Sequence, residues 1–274
     1  MPSRHDPREA LVSCLMVTQP GPTRLPHLLR SLEGYRRQTH GRTELVVVVD
    51  RTDAAARDAL RQHLSPRHRE DVRLVALEAE HPLGFLRNIA VAHARGDVLC
   101  QWDDDDLQHP ERVARQLAAM TAAGARACYL QDVMQYVVGE RVLYWTNWRA
   151  TPTGAHPGTM MCAREAMIRY PEAGPAARLG EDTVALAALR ERCVVHALAG
   201  WPHLMLYVTH GSNTFPADHH RMLARRLGIS RALLLRREAE LRRGLRDFDL
   251  GTGPVAVMGP NGLAFTLRAG PGDD

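Results

Sequence analysis

Lysine is absent from this chain: all 35 basic residues are arginine, set against 31 acidic ones. That removes at once a Walker-type phosphate lysine, a Schiff-base lysine and an anchor for pyridoxal phosphate. Aromatic residues are also scarce, at 5% of 274 residues. Because the arginines are scattered rather than interleaved with aromatics, the net charge of +4 does not mark a nucleic-acid-binding face, and no nucleic-acid partner is expected. The five cysteines, Cys14, Cys100, Cys128, Cys162 and Cys193, are odd in number, far apart and free of any CxxC pair, so they read as small core residues. No apolar run is long enough to cross a bilayer, and the opening MPSRHDPREA lacks the apolar stretch of a signal peptide, which makes a reducing cytoplasm the expected compartment.

What is present is enough apolar content, 45%, for a substantial core. LVSCLMVT (11–18) reads as a buried strand running into the breaker string QPGPT, and Leu25, Leu28, Leu29, Leu32 and Tyr35 recur at helical spacing behind it. ELVVVVD (44–50) is the strongest strand signal, its continuous valines implying burial on both faces as in a parallel sheet. A helix over 53–64, a strand near 72–77, a helix over 85–95 stopped by Gly96 and a strand DVLCQW (97–102) complete four rounds of alternating β and α. Further along, a hairpin is expected over 127–148. A helix starts near Glu181 with Val184, Leu186 and Leu189 inward, a strand covers 203–209, and one long helix bearing nine arginines covers 217–247. GTGPVA (251–256) matches a dinucleotide string but follows no convincing strand and carries a proline where a helix should start, so it is set aside. The expected layout is a frayed tail over 1–9, one α/β domain over 10–215, and a helical, Gly/Pro-rich extension over 216–274 packed on it. The arginine-rich helix either forms a solvated outer face or lies on an anionic membrane surface at the inner face.

Ligands of open α/β sheets bind at the carboxyl ends of strands, where Asp50 and the run Asp103 to Asp106 both fall. Four consecutive carboxylates repel one another unless something positive joins them. A hard cation, Mg²⁺ or Mn²⁺, would answer that need, with the remaining coordination positions filled by phosphate and water. The alternative is an acidic turn before Pro110 facing a helix dipole.

The order of motifs resembles a family 2 glycosyltransferase of the GT-A fold: a Thr-containing loop after the first strand, ELVVVVD, GFLRN (84–88), ARGD (94–97), then DDDDLQHP with its proline four positions after the last aspartate. The resemblance covers residues 11 to about 120 well and the rest loosely. It implies a UDP-, GDP- or dTDP-linked sugar as donor and an acceptor of unknown kind. Thr18 and Asp50 would meet the nucleoside, Arg87 the phosphates or nucleoside, and Asp103 the ribose. Asp104 falls in the variable slot of D-x-D. Asp105, then Asp106, would ligate the metal, with His210 at the end of the strand over 203–209 completing the site as in some relatives. Arg51 stands where family members usually carry a second aspartate, which leaves the base open. LGEDTVAL (179–186) resembles the segment that supplies the catalytic base, here Asp182, with Glu181 beside it to orient the acceptor or the helix. Inversion at the sugar follows from the same resemblance. Trp145 and Trp148 are candidate acceptor walls, whereas Trp102 and Trp201 read as core and His219 and His220 as surface residues. Two rival readings remain: a sugar nucleotidyltransferase, which usually opens with a Gly-rich loop bearing arginine and lysine, and a binding module without turnover.

Overall fold

The computed structural model describes residues 9–19, 21, 23–51, 58, 60–62, 71–211, 213 and 215–267. The expected tail, apart from Glu9, and most of the helix expected over 53–64 lie outside the described residues. The valine and leucine runs become β1 (Val12–Thr18), β2 (Thr43–Val49), β3 (Val72–Ala76) and β4 (Val98–Gln101), paired in parallel in the order β4-β1-β2-β3. Side chains alternate across a strand, and both faces of β1 and β2 are covered. Cys14, Met16, Leu45, Val47 and Val49 pack with Leu28, Leu32 and Tyr35 of helix α1 (Leu25–Arg36). Leu15, Val46 and Val48 pack with Leu86 and Ala90 of α2 (Leu83–His93). This two-sided burial is why those strands read as unbroken apolar runs.

Beyond β4 the sheet continues through antiparallel β9 (Met161–Ala163) to β6 (Ala127–Leu130) and β10 (Val195–Leu198), seven strands in all among the described residues. Gly84, the glycine of GFLRN, is needed for close approach, because a Cβ there would overlap the carbonyl oxygen of Pro171. Gly96 does not stop the helix, which ends at His93. Instead, a Cβ at Gly96 would overlap the carbonyl of Leu11, and its N–H donates to Ser13 Oγ at 2.8 Å.

A second sheet, six-stranded among the described residues, runs β13-β12-β8-β7-β11-β5. The hairpin expected over 127–148 is β7 (Asp132–Val137) with β8 (Val142–Asn147), whereas β6 stays in the first sheet. β5 (Leu107–Gln108) leaves the aspartate run directly and pairs with β11 (Met205–Thr209). The single helix expected over 217–247 is three: α5 (Ala217–Leu227), α6 (Arg231–Arg236) and α7 (Glu238–Leu245). The break follows from Gly228, where a Cβ would overlap the carbonyl of Ala224, and from Ser230, whose Oγ accepts from Leu233 N–H and starts α6 afresh. Its apolar stripe survives, with Leu234, Leu241 and Leu245 buried against Met134, Leu143 and Leu206.

Up to Leu267 the Gly/Pro-rich segment is also not a tail, and residues 268–274 lie outside the described residues. It forms the hairpin β12 (Val255–Gly259) and β13 (Gly262–Leu267), and β12 pairs in parallel with β8, so the C-terminal extension is part of the second sheet. Helices α3 (Arg112–Ala122) and α4 (Glu181–Arg192) flank the first sheet. On α4, Ala185, Leu186 and Leu189 face inward, but Val184 is 43% exposed rather than buried. No helix among the described residues is long and apolar enough to cross a membrane. Thr18, Asp50 and the aspartates thus emerge together at the carboxyl edge of β1, β2 and β4.

Candidate active site

Each of the four aspartates has its own anchor. Asp103 Oδ1 accepts from both terminal nitrogens of Arg87, at 3.2 and 3.3 Å. Asp104 accepts from Thr18 Oγ1 at 2.6 Å and pairs with Arg24 at 2.7 Å. Asp105 lies 3.2 Å from His210 Nε2 and 3.5 Å from Arg24. Asp106, buried, accepts the backbone N–H of Val208 on β11 at 2.8 Å. The cations that the run demanded are therefore arginines of the chain itself. A third one, Arg112, is buried beneath the run and donates to the carbonyl of Gln101 at 3.1 Å.

Burial dominates the proton affinities here. Burial, then the Asp105 charge, raises Asp104 to about 7. Burial and the charges of Asp105 and Asp103 push Asp106 well above the usual carboxylate range. Burial works against charge on Asp105 as well, but the His210 hydrogen bond and the Arg24 charge outweigh it and hold that carboxyl below its ordinary value. Asp105 is therefore the strongest anion of the run. His210 is held from its other side by the ring of His27, stacked at 4.0 Å and 21°.

Arg87 links the run to α4. Its Nε donates to Glu181 at 2.7 Å while its terminal nitrogens hold Asp103. Burial works against that charge, and the two carboxylates outweigh it, so the guanidinium stays firmly protonated. Glu181 is itself buried and ion-paired, which makes it an orienting group for Arg87 rather than an acceptor contact. Asp182, the next residue, is half-buried, accepts Thr183 N–H at 2.7 Å, and is raised to about 6 by burial and the charge of Glu181. Asn88 satisfies backbone and loop groups, bonding the Tyr170 carbonyl at 3.0 Å and Glu172 at 2.7 Å.

Asp50, fully buried at the end of β2, accepts the backbone N–H of His81 at 3.2 Å. Arg51 adopts a left-handed backbone (φ 50°) and turns its guanidinium toward Asp50, at 3.4 Å, and Glu80, at 3.4 Å. That conformation costs a non-glycine residue about 1 kcal/mol.

Two aromatic placements, those of Trp145 and His220, differ from expectation. Trp145 is only 3% exposed, donates its indole N–H to Asp132 at 2.8 Å and sits in the core of the second sheet, so it is not an acceptor wall. Trp148 is half-buried and edge-on to His156 at 4.6 Å. His156 in turn borders Gly158, where a Cβ would lie 3.2 Å from Asp103 Oδ2 and 3.2 Å from the imidazole, so this wall reaches the aspartate run. His220 is fully buried, not a surface residue; its ring nitrogens meet Tyr207 Oη and the Phe215 carbonyl, both at 3.1 Å. Sequence reasoning missed Arg24, His27 and His156. For Arg24 the available signal was its place, at the end of a strand-to-helix loop and directly before a leucine stripe.

Among the described residues no three His, Cys, Asp or Glu side chains close into a metal cage. The converging carboxylate of Asp105 and imidazole of His210 are nonetheless a donor pair that suits Mn²⁺ or Mg²⁺ when a ligand brings further oxygens.

The family described as "Glycosyl transferase family 2" matches residues 23–176. The chain is 37% identical over 100 residues to the "Succinoglycan biosynthesis protein ExoO" of Rhizobium meliloti (strain 1021); the alignment covers 36% of this chain and 27% of that protein. Its fold is similar to the crystal structure of S. aureus TarS 1-349 in complex with UDP (TM-score 0.58, 14% identity, 86% of this chain and 79% of that one). It is also similar to a mannosyltransferase, PcManGT from Pyrobaculum calidifontis, solved with GDP-Man and Mn²⁺ (TM-score 0.56, 14% identity, 88% and 65%).

Proposed function

The chain belongs to glycosyl transferase family 2 and is a glycosyltransferase of the GT-A fold, and from that premise we propose that it moves a sugar from a nucleotide-diphosphate sugar to an acceptor hydroxyl, with inversion at the anomeric carbon. The observation that carries this reading is the ion-paired line from Asp103 through Arg87 to Glu181, which ties the aspartate run to the helix bearing Asp182. Relatives solved with UDP and with GDP-Man support a UDP- or GDP-linked donor.

In this reading Asp50 and Thr18 receive the nucleoside, and Asp103, fixed by Arg87, borders the ribose. Asp105 and His210 are the residues that would hold Mn²⁺ or Mg²⁺, and Asp106 instead anchors the run to β11. Such a cation, when bound, offsets the charge growing on the departing diphosphate. Asp182, half-buried and poised near neutrality, takes the proton from the acceptor hydroxyl as its oxygen attacks the face opposite the leaving group. Trp148 and His156 form the wall beside that path.

The test is turnover with Mn²⁺ and UDP-GlcNAc or GDP-mannose, comparing the parent with Asp182→Asn and Asp105→Ala. Asp182→Asn should lose about 10³-fold in kcat with nucleotide binding retained. A parent that binds nucleotide sugars yet turns none over is a binding module, and this reading fails.

A further inference from the structure

Of the four aspartates, Asp103 and Asp106 are tied to buried framework, whereas Asp104 and Asp105 share a single arginine. Arg24 stands where α1 begins, its side chain 26% exposed, against 10% for Arg87. It grips Asp104 at 2.7 Å but only reaches Asp105 at 3.5 Å. Its Nε is buried with no hydrogen-bond partner among the described residues, whereas Arg87 uses Nε for Glu181. Arg112, the other buried arginine at the run, likewise spends its Nε on a partner, Gln116 Oε1 at 3.4 Å, and a buried donor left without one is costly.

The neighbours that remain if Arg24 leaves are independently held. Thr18 still bonds Asp104, and His210 keeps its stack on His27 and its 3.3 Å contact with Asn213 Nδ2. We propose that Arg24 is a tethered counter-cation of the aspartate run, seated on Asp104 and Asp105 until an incoming divalent cation takes its place.

The inference rests on the reading above that Asp105 and His210 hold such a cation. Its consequence is competition: the measured cation affinity is the intrinsic one reduced by the fraction of molecules in which Arg24 has withdrawn. Arg24 thereby keeps adjacent carboxylates compensated between turnovers and sets how much Mn²⁺ the protein needs.

The experiment measures Mn²⁺ binding to the full chain without nucleotide, by electron paramagnetic resonance, for the parent, Arg24→Gln and Asp105→Asn. Arg24→Gln should bind Mn²⁺ roughly tenfold more tightly than the parent, and Mn²⁺ should raise its melting temperature more than the parent's. Equal or weaker binding by Arg24→Gln, with binding lost in Asp105→Asn, overturns the tethered cation and leaves the metal site standing. Affinity unchanged in Asp105→Asn removes the metal site and this inference with it. Should Arg24→Gln not fold, the parent's arginine side-chain ¹⁵N–¹H resonances, assigned with Arg24→Lys, are followed during Mg²⁺ titration. The Arg24 signal should move while that of Arg87 stays, and an unmoved Arg24 signal overturns the proposal.

Discussion

Arg87 and Arg24 hold the same acidic loop from opposite sides, and they do so differently. On the inner side Arg87 is buried between Asp103 and Glu181, with all three nitrogens engaged and carboxylates on two separate elements. On the outer side Arg24 is a quarter exposed, and its Nε has no hydrogen-bond partner among the described residues. The difference teaches that a run of like charges can carry a fixed half and an exchangeable half. The inner arginine sets geometry, and the outer one only balances charge.

On that division Arg87→Ala strands the buried Glu181 and the partly buried Asp103 and should cost about 3 kcal/mol of stability. Arg24→Ala should cost only about 1 kcal/mol. Urea unfolding of the two variants, side by side, either separates them or erases the distinction. The next effect is on pH dependence. Asp182, raised to about 6, must be deprotonated to act as a base, so kcat/KM should fall on the acid side and reach about a tenth of its plateau near pH 5. Its contribution to stability runs the other way. A carboxyl raised in the folded protein favours folding while it keeps its proton, and it loses that advantage as the pH climbs through about 6. An activity profile flat between about pH 5 and 7 would assign the base elsewhere. The smallest effect tests where the inner side ends. Trp145→Phe removes a buried hydrogen bond to Asp132 and should cost about 1 kcal/mol with kcat and acceptor KM unchanged.

The first sheet was legible because β1, β2 and β4 are buried on both faces and so spell themselves as apolar runs. The second sheet was not. Val255 to Leu267 alternates around a Pro-Asn-Gly turn, yet its glycines and prolines read as a tail, and only pairing with β8 makes it a hairpin. The break in the arginine-rich helix was hidden for a different reason: the leucine stripe continues across Gly228, and the overlap that forbids a side chain there, with the carbonyl of Ala224 one turn back, arises only once the backbone has left the helical path. At the site, the positions of Asp50, the aspartate run and Glu181 could be read from strand ends and a helix start. The role of Arg24 could not, because an ion pair spanning 80 residues leaves no local periodicity. Trp145 misled because its indole looks the same in sequence whether it stacks on a sugar or donates to a buried aspartate.

The bond from Val208 N–H to Asp106 spans 102 residues, and the contact of His210 with Asp105 spans 105. β1 to β4 leave the ribosome before β11, so a nascent chain at that stage carries the acidic loop without two of its moorings, the Val208 N–H and the His210 imidazole. The centre is closed by one late strand, and a chain that stops short of Met205 lacks both contacts at once.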